Sequence, residues 1–198
     1  MKGHEYPREL IKAMLTTQVP LRLEALRARL TTDPEAPVEW PVNPNSYQLA
    51  DQLPMKEEQF PCVLISSTEA TRNAHLQPGL GETVFDYTMT VTVAVTSSRH
   101  GGDEEASVGR DRIMLAVREA LMLNADLADD AYSIVRDIKE QTGAPAENLQ
   151  SKPLALGNLG FSVRVVEDLT DPLLDTNGDA VVVATHDETV SAVDSSQT

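Results

Sequence analysis

One cysteine, one tryptophan and three phenylalanines are all that these 198 residues hold of those types. Cys62 has no second cysteine to bond, so the fold depends on no internal disulfide. With aromatics at 4% and hydrophobic residues at 41%, the core must be modest and largely aliphatic. Positive charge is also scarce: 16 Lys and Arg stand against 31 Asp and Glu, for a net charge of -15. Phosphates would be repelled from most of such a surface, so direct, sequence-specific nucleic-acid binding is not expected. Strong negative charge instead suits solubility and oriented, selective association. No apolar run approaches the ~18 residues of a membrane span. The opening MKGHEYPREL lacks the apolar centre of a secretory signal. No membrane partner is expected, and synthesis in the cytoplasm follows.

Signatures of chemistry are missing too. His4, His75, His100 and His186 are far apart, with no HExxH or paired spacing to hold a metal. Asp175, Asn177 and Asp179 alternate as a calcium loop begins. There, however, Gly178 falls at the fourth place instead of the sixth, and His186 at the twelfth, where a bidentate Glu is needed. LQPGLGE matches neither a Walker loop nor a dinucleotide fingerprint, and no GxSxG occurs. Cys62 has no neighbouring His or basic group in the sequence to activate it and reads as a small core hydrophobe. The expectation is a protein that is not an enzyme, with no metal and no cofactor.

The strongest positive signal is Val84–Thr96, VFDYTMTVTVAVT. Phe85, Tyr87, Met89, Val91, Val93 and Val95 share one side. Asp86, Thr88, Thr90, Thr92, Ala94 and Thr96 share the other. Strict alternation is that of a strand with one face on a core. At about 3.3 Å per residue the run would extend roughly 43 Å, long enough to reach beyond its domain or across a partner.

Around it, the elements follow in order. Pro7 suits a helix start, and Leu10, Ile11, Met14 and Leu15 give helical spacing. Leu21, Leu23, Leu26 and Leu30 continue it past Pro20, as two short helices or one kinked at that proline. Residues 33–61 hold six prolines and read as irregular. Trp40 and Tyr47 in that stretch are candidate interface anchors, Trp40 alternatively a local plug. CVLIS, from Cys62, predicts a short buried strand. The polar stretch Ser66–Glu82 predicts a projecting loop, on which Arg72, His75, Leu76 and Leu80 offer mixed contacts.

After Gly101-Gly102, Asp103 is placed to cap a helix over about 104–123, with Glu104 and Glu105 favouring its positive end. Ile113, Ala116, Val117, Ala120 and Leu121 form its apolar stripe, flanked by Met114 and Leu123, with Arg110, Arg112 and Arg118 mostly outward. YSIVRDI from Tyr132 and LGFSVRVVE from Leu159 predict two more strands. From Thr170 the chain holds six acidic residues and no Lys or Arg, whereas residues 1–32 hold six basic and three acidic. Opposite charge at the two ends suits head-to-tail contact between copies, although solvated surfaces explain it equally well. Within the acidic extension, Asn177-Gly178 marks a turn and Ala180–Ala184 reads as a strand. The expected organisation is a domain over 1–169 and an acidic extension over 170–198. The expected fold is α+β: a small mixed or antiparallel sheet of about four strands with helices packed on one face.

The order of FPCVLIS, projecting loop, YTMTVTVAV, EEASVGRDRIMLAVREAL, YSIVRDI and GFSVRVVEDL, after an N-terminal helix, resembles the tail terminator family of long-tailed bacteriophages. The resemblance covers roughly residues 7–169 and is one of pattern, without a diagnostic motif. It implies a structural virion protein forming a homo-oligomeric ring, a hexamer in that family. The ring would end tail-tube polymerisation and join the tail to the head or neck. Its partners would be further copies, the tail tube protein and a neck, head-completion or connector protein. Another neck component, such as a tail completion or connector protein, is the alternative within that class. An acidic protein-binding module is the alternative outside it.

Overall fold

The computed structural model describes residues 3–30, 43–50, 56–76, 82–97, 102–128, 131–143, 146–147 and 153–168. The chain divides into two units, Met1–Asp168 and Leu169–Thr198, and all described residues belong to the first. The extension from 170, with its turn and AVVVA run, therefore lies outside the described residues, as do Trp40 and Leu80.

Two helices and seven strands are described: α1 (Glu5–Leu30), β1 (Ser46–Gln48), β2 (Cys62–Arg72), β3 (Glu82–Thr96), α2 (Gly102–Leu123), β4 (Asp126–Ala128), β5 (Ala131–Thr142), β6 (Ala146–Glu147) and β7 (Pro153–Asp168). The sheet order is β1-β2-β3-β7-β5-β4, with β6 also on β7. Only the β1–β2 pair is parallel, so the sheet is mixed and the fold α+β. Four strands are long, and β1, β4 and β6 have two or three residues each.

β3 is central, and its alternation organises the layers. Tyr87, Met89, Val91, Val93 and Val95 lie opposite Val163, Phe161, Leu159, Gly157 and Ala155 on β7. On the other flank Val63 and Ile65 lie opposite Val93 and Val91. Ala155 and Gly157 apart, these residues form the main core together with Ile11, Leu15, Val19, Leu23 and Leu26 of α1 and Ile113, Met114, Ala116, Val117, Ala120 and Leu121 of α2. Both helices therefore cover the same face. At roughly 25 cal/mol per Å² of apolar surface, this interlayer burial is the main source of stability.

Several expectations change in detail. A single helix runs through Pro20, with Ile11, Leu15, Val19 and Leu23 buried at four-residue steps on both sides of it. Packing outweighs the backbone hydrogen bond that proline cannot make. Leu21, placed in the stripe by the sequence, is 60% exposed. On α2, Met114 is fully buried and Leu123 exposed. Arg110 is buried rather than outward: its guanidinium donates to the carbonyl oxygens of Gly143 (2.6 Å) and Leu156 (3.5 Å) and pairs with Asp111. Met114 sits where a side chain at position 157 would stand, its sulfur 2.7 Å from an ideal Cβ there, so Gly157 leaves room for the Met114 side chain against the sheet.

A second, smaller apolar cluster occupies one end of the opposite face. Cys62, Leu64, Ala94 and Leu154 are buried there beneath Ala50, Phe60 and Leu156. The stretch read as irregular thus carries β1 and a 3-10 turn at Glu57–Gln59. Asn45 ties these together, its backbone N–H donating to the Pro61 carbonyl at 2.7 Å and its side chain to those of Glu58 and Phe60. Burial pushes the Cys62 thiol up to about 12, as an inert core residue requires.

Candidate assembly surface

Between that second cluster and the apolar pair Val84 and Val166 near the hairpin end, the face opposite the helices is polar. Asp86, Thr88, Thr90 and Thr92 of β3 lie opposite Arg164, Ser162, Gly160 and Asn158 of β7. Most are half-buried by neighbouring strands, and Thr88 is exposed. No helix covers them among the described residues. One ion pair fixes this face near the hairpin end. Arg164 meets Asp86 with two parallel bonds, Nε to Oδ1 at 2.7 Å and Nη2 to Oδ2 at 2.9 Å. Such a fork is the strong form of the contact. Hydrogen bonding to Asp86 raises the Arg164 pKa and holds its charge.

Asn73 extends this network to the turn. Its side-chain amide donates to Asp86 Oδ2 at 3.1 Å, and its backbone N–H donates to the Val84 carbonyl at 2.8 Å. Its side-chain oxygen accepts from the His75 N–H at 3.2 Å, and its carbonyl accepts from the Leu76 N–H at 3.3 Å. One asparagine thus sets where β2 ends and how the turn begins, using the local bonding for which this residue is favoured.

The predicted loop Ser66–Glu82 is corrected here. Its first part, through Arg72, continues β2, and Glu82 already belongs to β3, so the projection is a hairpin. Nor does the long strand project alone, because β7 pairs with it from Glu82 to Thr96. A bulge between Ser67 and Glu69 inserts one residue into β2. As a result Arg72, opposite Phe85, falls on the side of the sheet that carries the helices.

Arg72, His75 and Leu76 come together at this hairpin end, all exposed, with Leu76 at 41%. Tyr47 does not join them. It lies opposite Val63, nine residues back along β2, or about 30 Å at strand spacing. Its ring packs against the main core, and burial raises its phenol pKa.

Sequence reasoning missed a buried polar contact on the helical side. Glu167, 1% exposed, accepts from the Tyr87 hydroxyl and from the Gly3 N–H (3.3 Å). His4 packs edge-on against Tyr87 with ring centroids 5.2 Å apart, and its Nδ1 lies 2.8 Å from Ser67 Oγ. Burial first, then Glu167, pushes the Tyr87 phenol above its usual range. The available signal was Glu167 continuing the odd-numbered apolar series Phe161, Val163, Val165.

This arrangement offers a polar sheet face, an ordered ion pair and a hairpin end with mixed side chains as surfaces for contact. No family model matches the chain, and no curated protein matches its sequence.

Proposed function

We propose that this chain is a structural protein of a phage-like particle, a ring-forming tail terminator. It would cap the tail tube at the head–tail junction and join it to the head or neck. The observation that carries this reading is the order of the long elements within Met1–Asp168: α1, the hairpin of β2 and the central β3, α2, and then β5 and β7. That order is the basis of the resemblance to tail terminators. A one-sided helical layer supports it, because the opposite sheet face and the hairpin end remain for contacts with other subunits. Closed rotational symmetry would satisfy a terminator's requirement, since a ring leaves no lateral edge to recruit more subunits and still presents two different ends.

The test is to assemble particles with and without this chain and view them by electron microscopy. The expected result without it is tails of uncontrolled length that are not joined to heads. Tails of normal length on full heads in its absence would overturn the reading.

A further inference from the structure

We propose that neighbouring copies join edge to edge, β2 of one pairing antiparallel with β5 of the next. This gives the ring of the preceding section its contact and rests on that reading for its setting. Two observations carry it, the first being the open edges. β1 reaches only Cys62–Leu64, so from Ile65 to Arg72 the outer side of β2 has no strand partner among the described residues. At the other end, β4 reaches only Ile134, so among the described residues β5 has no strand partner on its outer side from Val135 to Thr142. One sheet thus ends in two open stretches of eight residues each. Exposed edges of this kind invite strand addition.

Direction and face agree. The pairs β2–β3, β3–β7 and β7–β5 are all antiparallel, so β2 and β5 run in opposite directions. A second copy placed beside the first, with its helices on the same side, therefore continues the alternation without a break. Both edges also carry a one-residue irregularity, between Ser67 and Glu69 on β2 and between Arg136 and Lys139 on β5, where Asp137 has φ 52. An edge interrupted in this way disfavours a regular foreign strand and selects a partner with a matching irregularity.

Charge and stagger supply the second observation. Glu69 and Lys139 are both exposed, and their register places both on the face opposite the helices. Glu69 stands level with Thr88 and Lys139 level with Thr90. Setting Glu69 opposite the next copy's Lys139 offsets each copy by about two residues, and an offset of this kind is what closing strands into a ring requires. Pairing β2 with another β2, or β5 with another β5, would bury one edge type, leave the other open and lose this charge match.

The experiment uses the full chain with Cys62→Ala as background. Glu69→Cys and Lys139→Cys in one chain lie three strand spacings apart, roughly 14 Å, too far for a bond within one molecule. Mild oxidation should give a ladder of cross-linked species on a non-reducing gel, and it should require both cysteines. Dimers from Glu69→Cys alone would overturn the proposal in favour of a two-fold pair. A charge-swap series is the second arm, with circular dichroism confirming an unchanged fold. Glu69→Lys should shift the association midpoint at low salt about tenfold to higher concentration, and Glu69→Lys with Lys139→Glu should restore it. Light scattering separates the two levels of failure. A ring-sized mass without the ladder overturns the edge contact and leaves the ring reading standing. A monomer at every concentration overturns both.

Discussion

The two faces of the sheet are made from alternate residues of the same strands, yet they are held by different physics. On the helical face, Val91 and Val93 meet Leu159, Ile65 and Val63 in a packed interior where position and volume matter. On the other face, Thr88, Thr90 and Asp86 meet Ser162, Gly160 and Arg164 with water still within reach. The first face specifies how the chain folds. The second tolerates many side chains and is where contact with other molecules can be built at small cost to stability.

The sharpest way to break the comparison is Val93→Asp. It places an unpaired carboxylate where the wild-type side chain is fully buried, so a loss of roughly 3 kcal/mol or more, or failure to fold, is expected in a thermal melt. An unchanged melting temperature would show that this face is not the interior.

Gly157→Ala tests volume on the same face. With the Met114 sulfur 2.7 Å from the added carbon, the buried Met114 side chain must move, and the loss should be about 1–3 kcal/mol by denaturant titration. Met114→Ala in the same chain should remove most of the clash, leaving a cavity cost in its place.

The covered end of the polar face can be followed through Cys62. Its thiol is pushed from 9.0 to about 12, so the folded state keeps a proton that the unfolded state releases. Stability should therefore be full well below pH 9 and fall as pH rises from 9 toward 12, by roughly 1 kcal/mol at pH 10. Cys62→Ala should flatten the pH 9–10 limb. A limb of equal slope in the variant would assign it to other groups.

The smallest effect belongs to Thr88→Glu, on the same strand as Val93 but the opposite face. A change within about 1 kcal/mol is expected for the monomer. A loss comparable to Val93→Asp would mean that the polar face is covered.

These contrasts also explain what was legible in the sequence. β3 and the second half of β7 could be read because one face is buried along their length, leaving period-two alternation at Phe85–Val95 and Phe161–Val165. The second half of β2 could not. SSTEATR has no apolar series because both its faces are largely exposed, and it is a strand only because β3 pairs with it. Arg110 was assigned outward by its charge, since no local pattern reveals that two distant carbonyl groups await it. Pro20 leaves the choice between a break and a kink in α1 open because propensity is local, whereas the packing that carries the helix through comes from residues far along the chain. Among the candidate contact residues, the grouping of Arg72, His75 and Leu76 followed from proximity in sequence, whereas the seating of Tyr47 against the core depended on the parallel pairing of β1.

The central position of β3 also bears on the order of folding. Its partner on one side, β2, precedes it closely and can form a hairpin at once, but its partner on the other side, β7, lies far downstream. Roughly 70 residues must be synthesised after Thr96 before Asp168 emerges, which at ribosomal rates of about 5–20 residues per second takes several seconds. Throughout that interval this central strand waits with one edge bare. Its Thr-rich alternate positions are then a safeguard during synthesis, keeping half of the nascent strand hydrophilic until β7 arrives to close the sheet.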